Sequence, residues 1–416
     1  MKKLHRSDLL ILSTLLAVAC LFTLAAQAAA PPIPPLPPGT VLALPTDSPR
    51  WELEANAKPT EVQGRKCLML DGGAASVKDL NLRDGVVDVD VFTPANRGFF
   101  GIQFRMADEG ANGEWVYLRQ HKSGLADAMQ YTPVLGTGLN WQLYTGPGFT
   151  GAVDVPRNEW FHMRLELTGA QAKLFVKDMA KPALVMPDLK SGQQAGEVAL
   201  ASLTGATCFA NFEVRATSDT PWQRQLPAMP VGTLTQWHLS PAVDALARNL
   251  EQPLSAAERD AMPWQAVQAE APGLVPIYRY RPAPHPRVSF ATDWSKRLDP
   301  QPGMQVVYAR TTITVDSDQM RKLNLGYSDD VSLFLNGQIL YRGRSAQNFR
   351  DPAGFLGIMD VENDAVYLPL KKGNNELLLA VSELGGGWGF IARLHAPAQT
   401  PAGLPSGSAT PRRRAP

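Results

Sequence analysis

Residues 98–121 read GFFGIQFRMADEGANGEWVYLRQH. In the first half Phe100, Ile102, Phe104 and Met106 alternate with Gly101, Gln103 and Arg105. In the second, Val116 and Leu118 alternate with Trp115, Tyr117, Arg119 and His121. A period of two belongs to a strand with one face buried, so one face of this pair is core and the other is polar and aromatic. The stretch EWFHMRLELTG repeats the pattern with Phe161, Met163, Leu165 and Leu167 inward, and CFANFEVR places Cys208, Ala210, Phe212 and Val214 together. Glycine punctuates these runs throughout, as it does between antiparallel strands. The pattern predicts an all-β protein of two β-sandwich domains joined by a short, partly helical linker.

The chain has 416 residues, room for two modest domains, and its 44% hydrophobic content is ordinary for buried cores. Lys and Arg total 40 against 39 Asp and Glu. That balance leaves no global field to draw nucleic acid or anionic lipid, so neither is an expected partner. The first residues carry Lys2, Lys3 and Arg6, then an apolar run from Leu9 to Ala26 and the small-residue pattern Ala26-Gln27-Ala28. This reads as a secretory signal peptide, residues 1–28, cleaved after Ala28, leaving a secreted or periplasmic mature chain without a transmembrane domain. The alternative is an uncleaved anchor, since about 18 apolar residues just span a bilayer. Cys20 lies inside the apolar run and Ala17 stands where lipoprotein signals carry leucine, so lipidation is not expected. Cys67 and Cys208 remain, either as one disulfide or as two separate buried thiols.

Three segments lack the strand period. They are a Pro-rich linker at 29–49, a linker with short helices at 217–264, and a tail at 397–416 ending in PRRRAP, expected to be disordered. In the middle one, Ser240 before Pro241 reads as a helix cap, and Ser255 with Glu258 as a capping box.

Between these linkers, GFFGIQFRMADEGANGEWVYLRQHKSGLADAMQYTPVLGTGLNWQLY followed by NEWFHMRLELTGAQAKLFVKD resembles the concanavalin A-like lectin/glucanase sandwich. The variant it is most similar to is the 3-keto-disaccharide hydrolase (LamG-like) domain, here over residues 50–216. The resemblance implies that the first and last strands of this domain pair, which places Cys67 and Cys208 on neighbouring strands. Residues 265–396 contain VVYARTTITV, KLNLGYSDDVSLFLNGQILY and DAVYLPLKKGNNELLLAVSELGGGWGFIARL, and resemble the galactose-binding-like jelly roll. Asn336-Gly337 predicts a tight hairpin.

Several spellings carry no chemistry in their context. The run Gly146-Pro-Gly-Phe-Thr-Gly151 matches G-x-G-x-x-G but leads into a strand, so it is a loop. The histidines of the expected mature chain, His121, His162, His238, His285 and His395, are too scattered for a local metal pair, and no metal site is expected. Glucanase relatives carry catalytic carboxylates at alternate strand positions. Asp88 and Asp90 share an outward face, but the E-x-D-x-E pattern is missing, so they read as structural. Asp329 and Asp330 lead into a strand and read as turn residues. No cofactor is expected beyond the calcium that these two could ligate, and their other open role is hydrogen bonding to sugar hydroxyls.

The outward set Gln103, Arg105, Tyr117, Arg119, His121 and Tyr144, joined by Gln130 and Gln142 with Trp115 and Trp141 nearby, combines planar polar groups with aromatic rings. Such groups pair with hydroxyls and stack on the C–H faces of pyranoses. The alternative is an ordinary solvated face. The expected function is an exported, non-catalytic pair of glycan-binding sandwiches recognising an oligosaccharide or polysaccharide, with Asp329, Asp330 and Trp388 as secondary candidates. The alternatives are a glycoside hydrolase of the 3-keto-disaccharide type and a structural envelope protein.

Overall fold

The computed structural model of the protein describes residues 33–397 except 55, 95, 219–225, 283–301, 348, 351–355 and 384. The expected signal segment and nearly all of the tail lie outside the described residues. Among the described residues, strands dominate, every strand pairing is antiparallel, and no helix is long and apolar enough to cross a membrane.

The first sandwich stacks two sheets. One runs in the order Leu184–Met186, Gln171–Val176, Trp160–Thr168, Gly85–Phe92, Thr207–Ala216, Arg65–Leu70, Lys58–Val62, and Val41–Leu44 also pairs with Thr207–Ala216. The other runs Gly138–Leu139, Met129–Leu135, Asn112–Arg119, Phe99–Ala107, Glu197–Thr204, Gly73–Val77, Trp51–Leu53. Val87, Val89, Val91, Met163 and Leu165 from the first sheet bury themselves against Phe100, Ile102, Phe104, Val116 and Leu118 from the second, as the period of two requires. The strand Val41–Leu44 extends this domain before residue 50. Cys67 and Cys208, on adjacent strands, are joined by a disulfide with their Cα atoms 5.5 Å apart.

The alternation fails at one place, and it matters for the site. Met106 does not face the core between the sheets but packs on the opposite face with Trp115 and Tyr117. The register shifts between Phe104 and Ala107, and Arg105 adopts φ +50°. This is a bulge, in which an extra residue reverses the parity of the positions after it. Gly113 opposite makes room for it, since a Cβ there would meet Met106 Sδ at 2.4 Å.

The second sandwich pairs the order Gln265–Gln268, Gln236–Leu239, Gln305–Val315, Gly373–Glu383, Asp330–Leu335, Gln338–Arg344 with the order Leu274–Pro276, Gly389–Leu394, Gln319–Ser328, Asp364–Leu370. Val307, Leu333, Leu379 and Val381 meet Leu325, Tyr327, Phe390 and Trp388 between them. The hairpin at Asn336-Gly337 has φ +50° and +79°. The capping box of Ser255 and Glu258 starts the helix Ala256–Ala261. Ser240 starts no helix: its backbone N–H bonds to the Tyr308 carbonyl and its hydroxyl accepts from the Tyr308 N–H, so it ends a strand. The segment expected as a linker thus contributes the strand Gln236–Leu239 to the second sandwich.

The sandwiches meet through Gln142. Its backbone N–H bonds to the Gly386 carbonyl, its carbonyl accepts from the Met359 N–H, and its side-chain Nε2 donates to the Leu356 carbonyl at 2.9 Å. A Cβ at Gly386 would lie 2.5 Å from Gln142 Oε1, and one at Gly357 would lie 2.2 Å from Nε2. Both glycines leave the space the amide fills.

Candidate functional site

The outer face of the second sheet in the first sandwich carries Trp115, Tyr117 and Arg119 at alternate positions of one strand, with Phe99 opposite Arg119 on the neighbouring strand. His121 comes next in a short 3-10 turn, Gln120–Lys122. These side chains line a cavity of about 490 Å³, together with Arg97, Asp127 and Trp141. The cavity is closed on one side by Gln347 and Leu356 of the second sandwich.

Its aromatic wall is continuous. The Trp115 and Tyr117 rings lie 4.5 Å apart, Phe99 is 6.2 Å from Tyr117, and His121 sits edge-on to Phe99 at 5.0 Å. Arg119 is 5% exposed. Its Nη1 donates to the Asp127 carbonyl at 2.7 Å, and its Nη2 donates to the Tyr117 hydroxyl at 3.1 Å and to Gln130 Oε1 at 3.0 Å. Its guanidinium carbon lies 5.1 Å from the Tyr117 ring and 5.9 Å from Trp141, within cation–π range. Burial pushes the Tyr117 hydroxyl up to about 12, against the pull of Arg119. His121 is held below the ordinary histidine value, first by burial and then by Arg97, Lys122 and Arg119. Two buried ring nitrogens here, Trp115 Nε1 and His121 Nδ1, have no hydrogen-bond partner among the described residues, an unusual condition for buried polar atoms.

The structure therefore brings Tyr117, Arg119 and His121 together with Trp115 and Trp141, and separates other expected members. Arg105 is 4% exposed. The bulge turns it away to the Asp84 carboxylate at 3.0 Å and to the carbonyls of Arg83, Gly169 and Gly192. Gln103, half-buried, shares the face of Trp115 but lies outside the cavity lining. Gln130 is buried as a bracket between Arg119 and the Tyr144 carbonyl, and Gln142 is taken up by the junction between sandwiches.

Tyr144 lines a different cavity, of about 690 Å³, with Lys190, Asp188 and Glu270. There its hydroxyl donates to Glu270 at 2.6 Å, and Lys190 bridges to Asp188 at 2.7 Å. Arg97, Phe99 and Asp127 were not anticipated. Phe99 shares the parity of Gly101 and Gln103 and was legible; Gln347 and Leu356 arrive only through the tertiary fold.

The carboxylates singled out elsewhere are committed to the protein. Asp88 accepts from Arg164 and Arg215 at 2.7 Å and contacts His162 at 2.9 Å, and Asp90 binds Arg65 and Asn211. Burial raises the Asp88 carboxyl, but these partners outweigh it and hold the group below the usual carboxylate range. Asp329 is buried and accepts from the Gly385 N–H at 2.9 Å. Asp330 is not a turn residue but the first of the strand Asp330–Leu335, in a buried ion pair with Arg344. Trp388 is fully buried, its indole N–H on the Val381 carbonyl. Among the described residues no group of three or more His, Cys, Asp or Glu side chains is placed to hold a metal ion.

No protein-family model matches the chain, and no curated protein does. Solved structures similar to part of it include the carbohydrate-binding module CBM66 from Bacillus subtilis, at 14% identity over 39% of this chain and 94% of that one, TM-score 0.31. A Bacillus subtilis protein of unknown function with a galectin-like fold is 12% identical over 41% and 90%, TM-score 0.32. The Caenorhabditis elegans galectin LEC-6 is 8% identical over 36% and 96%, TM-score 0.26. At such identities and scores the likeness assigns neither activity nor ligand.

Proposed function

We propose that the protein is an exported carbohydrate-recognising protein that binds a saccharide, without cleaving it, in the cavity of Trp115, Tyr117, Arg119, His121 and Trp141. The carrying observation is the composition of that cavity: an aromatic wall for the apolar face of a pyranose, with nitrogen donors beside it. The two orphaned ring nitrogens support it, because a hydroxyl-bearing ligand is the kind of molecule that would satisfy them.

Binding without cleavage is favoured by the carboxylate count. Hydrolysis of a glycoside needs two carboxyl groups astride the bond. Asp127 is the single carboxylate among the described residues lining this cavity, and it pairs with Lys122 at 3.5 Å. The hydrolase reading rests instead on the larger cavity, where Asp188 and Glu270 approach the same Lys190 ammonium at 2.7 and 3.8 Å. The Cys67–Cys208 disulfide supports export, since such bonds persist in oxidising compartments.

The test is incubation of the purified protein with a panel of oligosaccharides, scored for retention and for product release. Retention without product, lost in Tyr117→Ala and His121→Ala, is the expected result. Product release abolished by Glu270→Gln moves the function to the larger cavity; no retention of any saccharide refutes the proposal.

A further inference from the structure

Building on the saccharide reading of the same cavity, we infer that its ligand is acidic: a sugar chain bearing carboxylate or sulfate groups. The reason lies in the counter-charges. Arg119 is 5% exposed, yet its three hydrogen bonds go to a carbonyl, a phenol and an amide, all of them neutral. A guanidinium has five N–H donors. A buried cation is expensive unless it is paired, and no carboxylate among the described residues bonds to this one. The nearest candidate, Asp127, presents its carbonyl to Arg119 and its carboxylate to Lys122.

A second cation lines the same cavity without an anion. The Arg97 guanidinium lies over the Phe99 ring, its carbon 5.6 Å from the centroid, and makes no ion pair among the described residues. Among the described residues, Arg97 and Arg119 therefore bring two positive charges without an ion-pair partner to a cavity of about 490 Å³, in a chain whose overall charge is close to balanced. The field of these cations is felt at His121, which Arg97, Lys122 and Arg119 all disfavour from protonation while Asp127 alone opposes them. The local excess is thus a property of this cavity. An anionic group on the ligand would supply the missing partner through charge-assisted hydrogen bonds, which arginine makes to carboxylate and sulfate alike.

The experiment compares matched pairs of oligosaccharides by calorimetry: oligogalacturonate against its methyl ester, glucuronoxylan fragments against unbranched xylan fragments, and carrageenan fragments against their desulfated forms. The first two pairs test carboxylate and the third sulfate. The acidic member of at least one pair should bind more than tenfold tighter, and Arg97→Gln and Arg119→Gln should each narrow that ratio. Arg97 is exposed and makes no ion pair among the described residues, so its variant keeps the fold, which a melting curve verifies. Equal or tighter binding of the neutral members, or a ratio unmoved by both variants, overturns the inference while the saccharide reading stands. If no member of any pair binds, both fall together.

Discussion

The Ser328 hydroxyl donates to Gln142 Oε1 at 3.0 Å, joining residues 186 positions apart that belong to different sandwiches. The amide of Gln142 is also held by Leu356 on its other side. A single buried side chain is thus held at both its oxygen and its nitrogen by partners on the second sandwich, and Gly357 and Gly386 leave the space it fills. Because Leu356 and Gln347 also wall the cavity, this junction fixes the geometry in which Trp141, the neighbour of Gln142, faces Arg119.

Gly386→Ala should destabilise the protein by about 1–3 kcal/mol, since φ is +98° and the new Cβ would meet Gln142 Oε1 at 2.5 Å. In a Gln142→Ala background the steric part disappears and the strain remains. A double-mutant cycle on urea denaturation should therefore show the second substitution costing less there than alone. Additive costs would mean the two positions do not meet.

Removing the Asp84 carboxylate leaves the Arg105 guanidinium buried without its counter-ion. Asp84→Ala should cost about 3–5 kcal/mol in urea denaturation, while saccharide affinity, measured below the melting temperature, stays within twofold of the parent. A loss of affinity with unchanged stability would restore Arg105 to the binding face.

The orphaned indole N–H permits a cleaner test of the cavity. Trp115→Phe removes a donor that has no partner among the described residues, so no hydrogen bond to them is lost. Saccharide binding should weaken several-fold, corresponding to about 0.5–1.5 kcal/mol for a neutral hydrogen bond, with the change read by calorimetry against the melting temperature of each form.

Two fully buried carboxyls set the pH dependence of stability. Burial raises Glu114 to about 7, and burial with the nearby Asp329 charge raises Glu383 to about 8. Between the ordinary value near 4.5 and these raised values, the folded protein keeps protons that the unfolded chain has released. Raising the pH through this window therefore favours unfolding. The melting temperature should fall from pH 5 to pH 8, and Glu383→Gln should flatten that slope. At the acid end Asp88 works in the other direction, because its lowered pKa gives stability that is lost as the pH drops below about 4. A melting temperature that rises steadily from pH 5 to 8 would contradict this assignment.

The fold class was legible because alternation survives in almost every strand, as in Phe161, Met163, Leu165 and Leu167. What escaped was parity after a bulge. Nothing in the spelling FRMADEG announces that Arg105 turns to φ +50°, and the one available cue was Gly113 inside a strand pattern, a residue that often marks a bulge. Tyr117, Arg119 and His121 could be grouped because they share one strand and its continuation. Tyr144 and Gln142 lie beyond a turn, where counting by twos no longer says which way a side chain points. Ser240-Pro241 carried a genuine local helix signal that a strand partner, Tyr308, overrode.

The strand Thr207–Ala216 lies between Gly85–Phe92 and Arg65–Leu70 in its sheet, and also receives Val41–Leu44. It is the last strand of the first sandwich to leave the ribosome, yet it occupies an interior position. Until it arrives, the earlier strands have no completed surface on which to close, and contacts of such long sequence separation form slowly. A nascent chain would accordingly remain open for most of the synthesis of this domain, the condition a polypeptide must keep if it is to be threaded through a membrane pore before it folds.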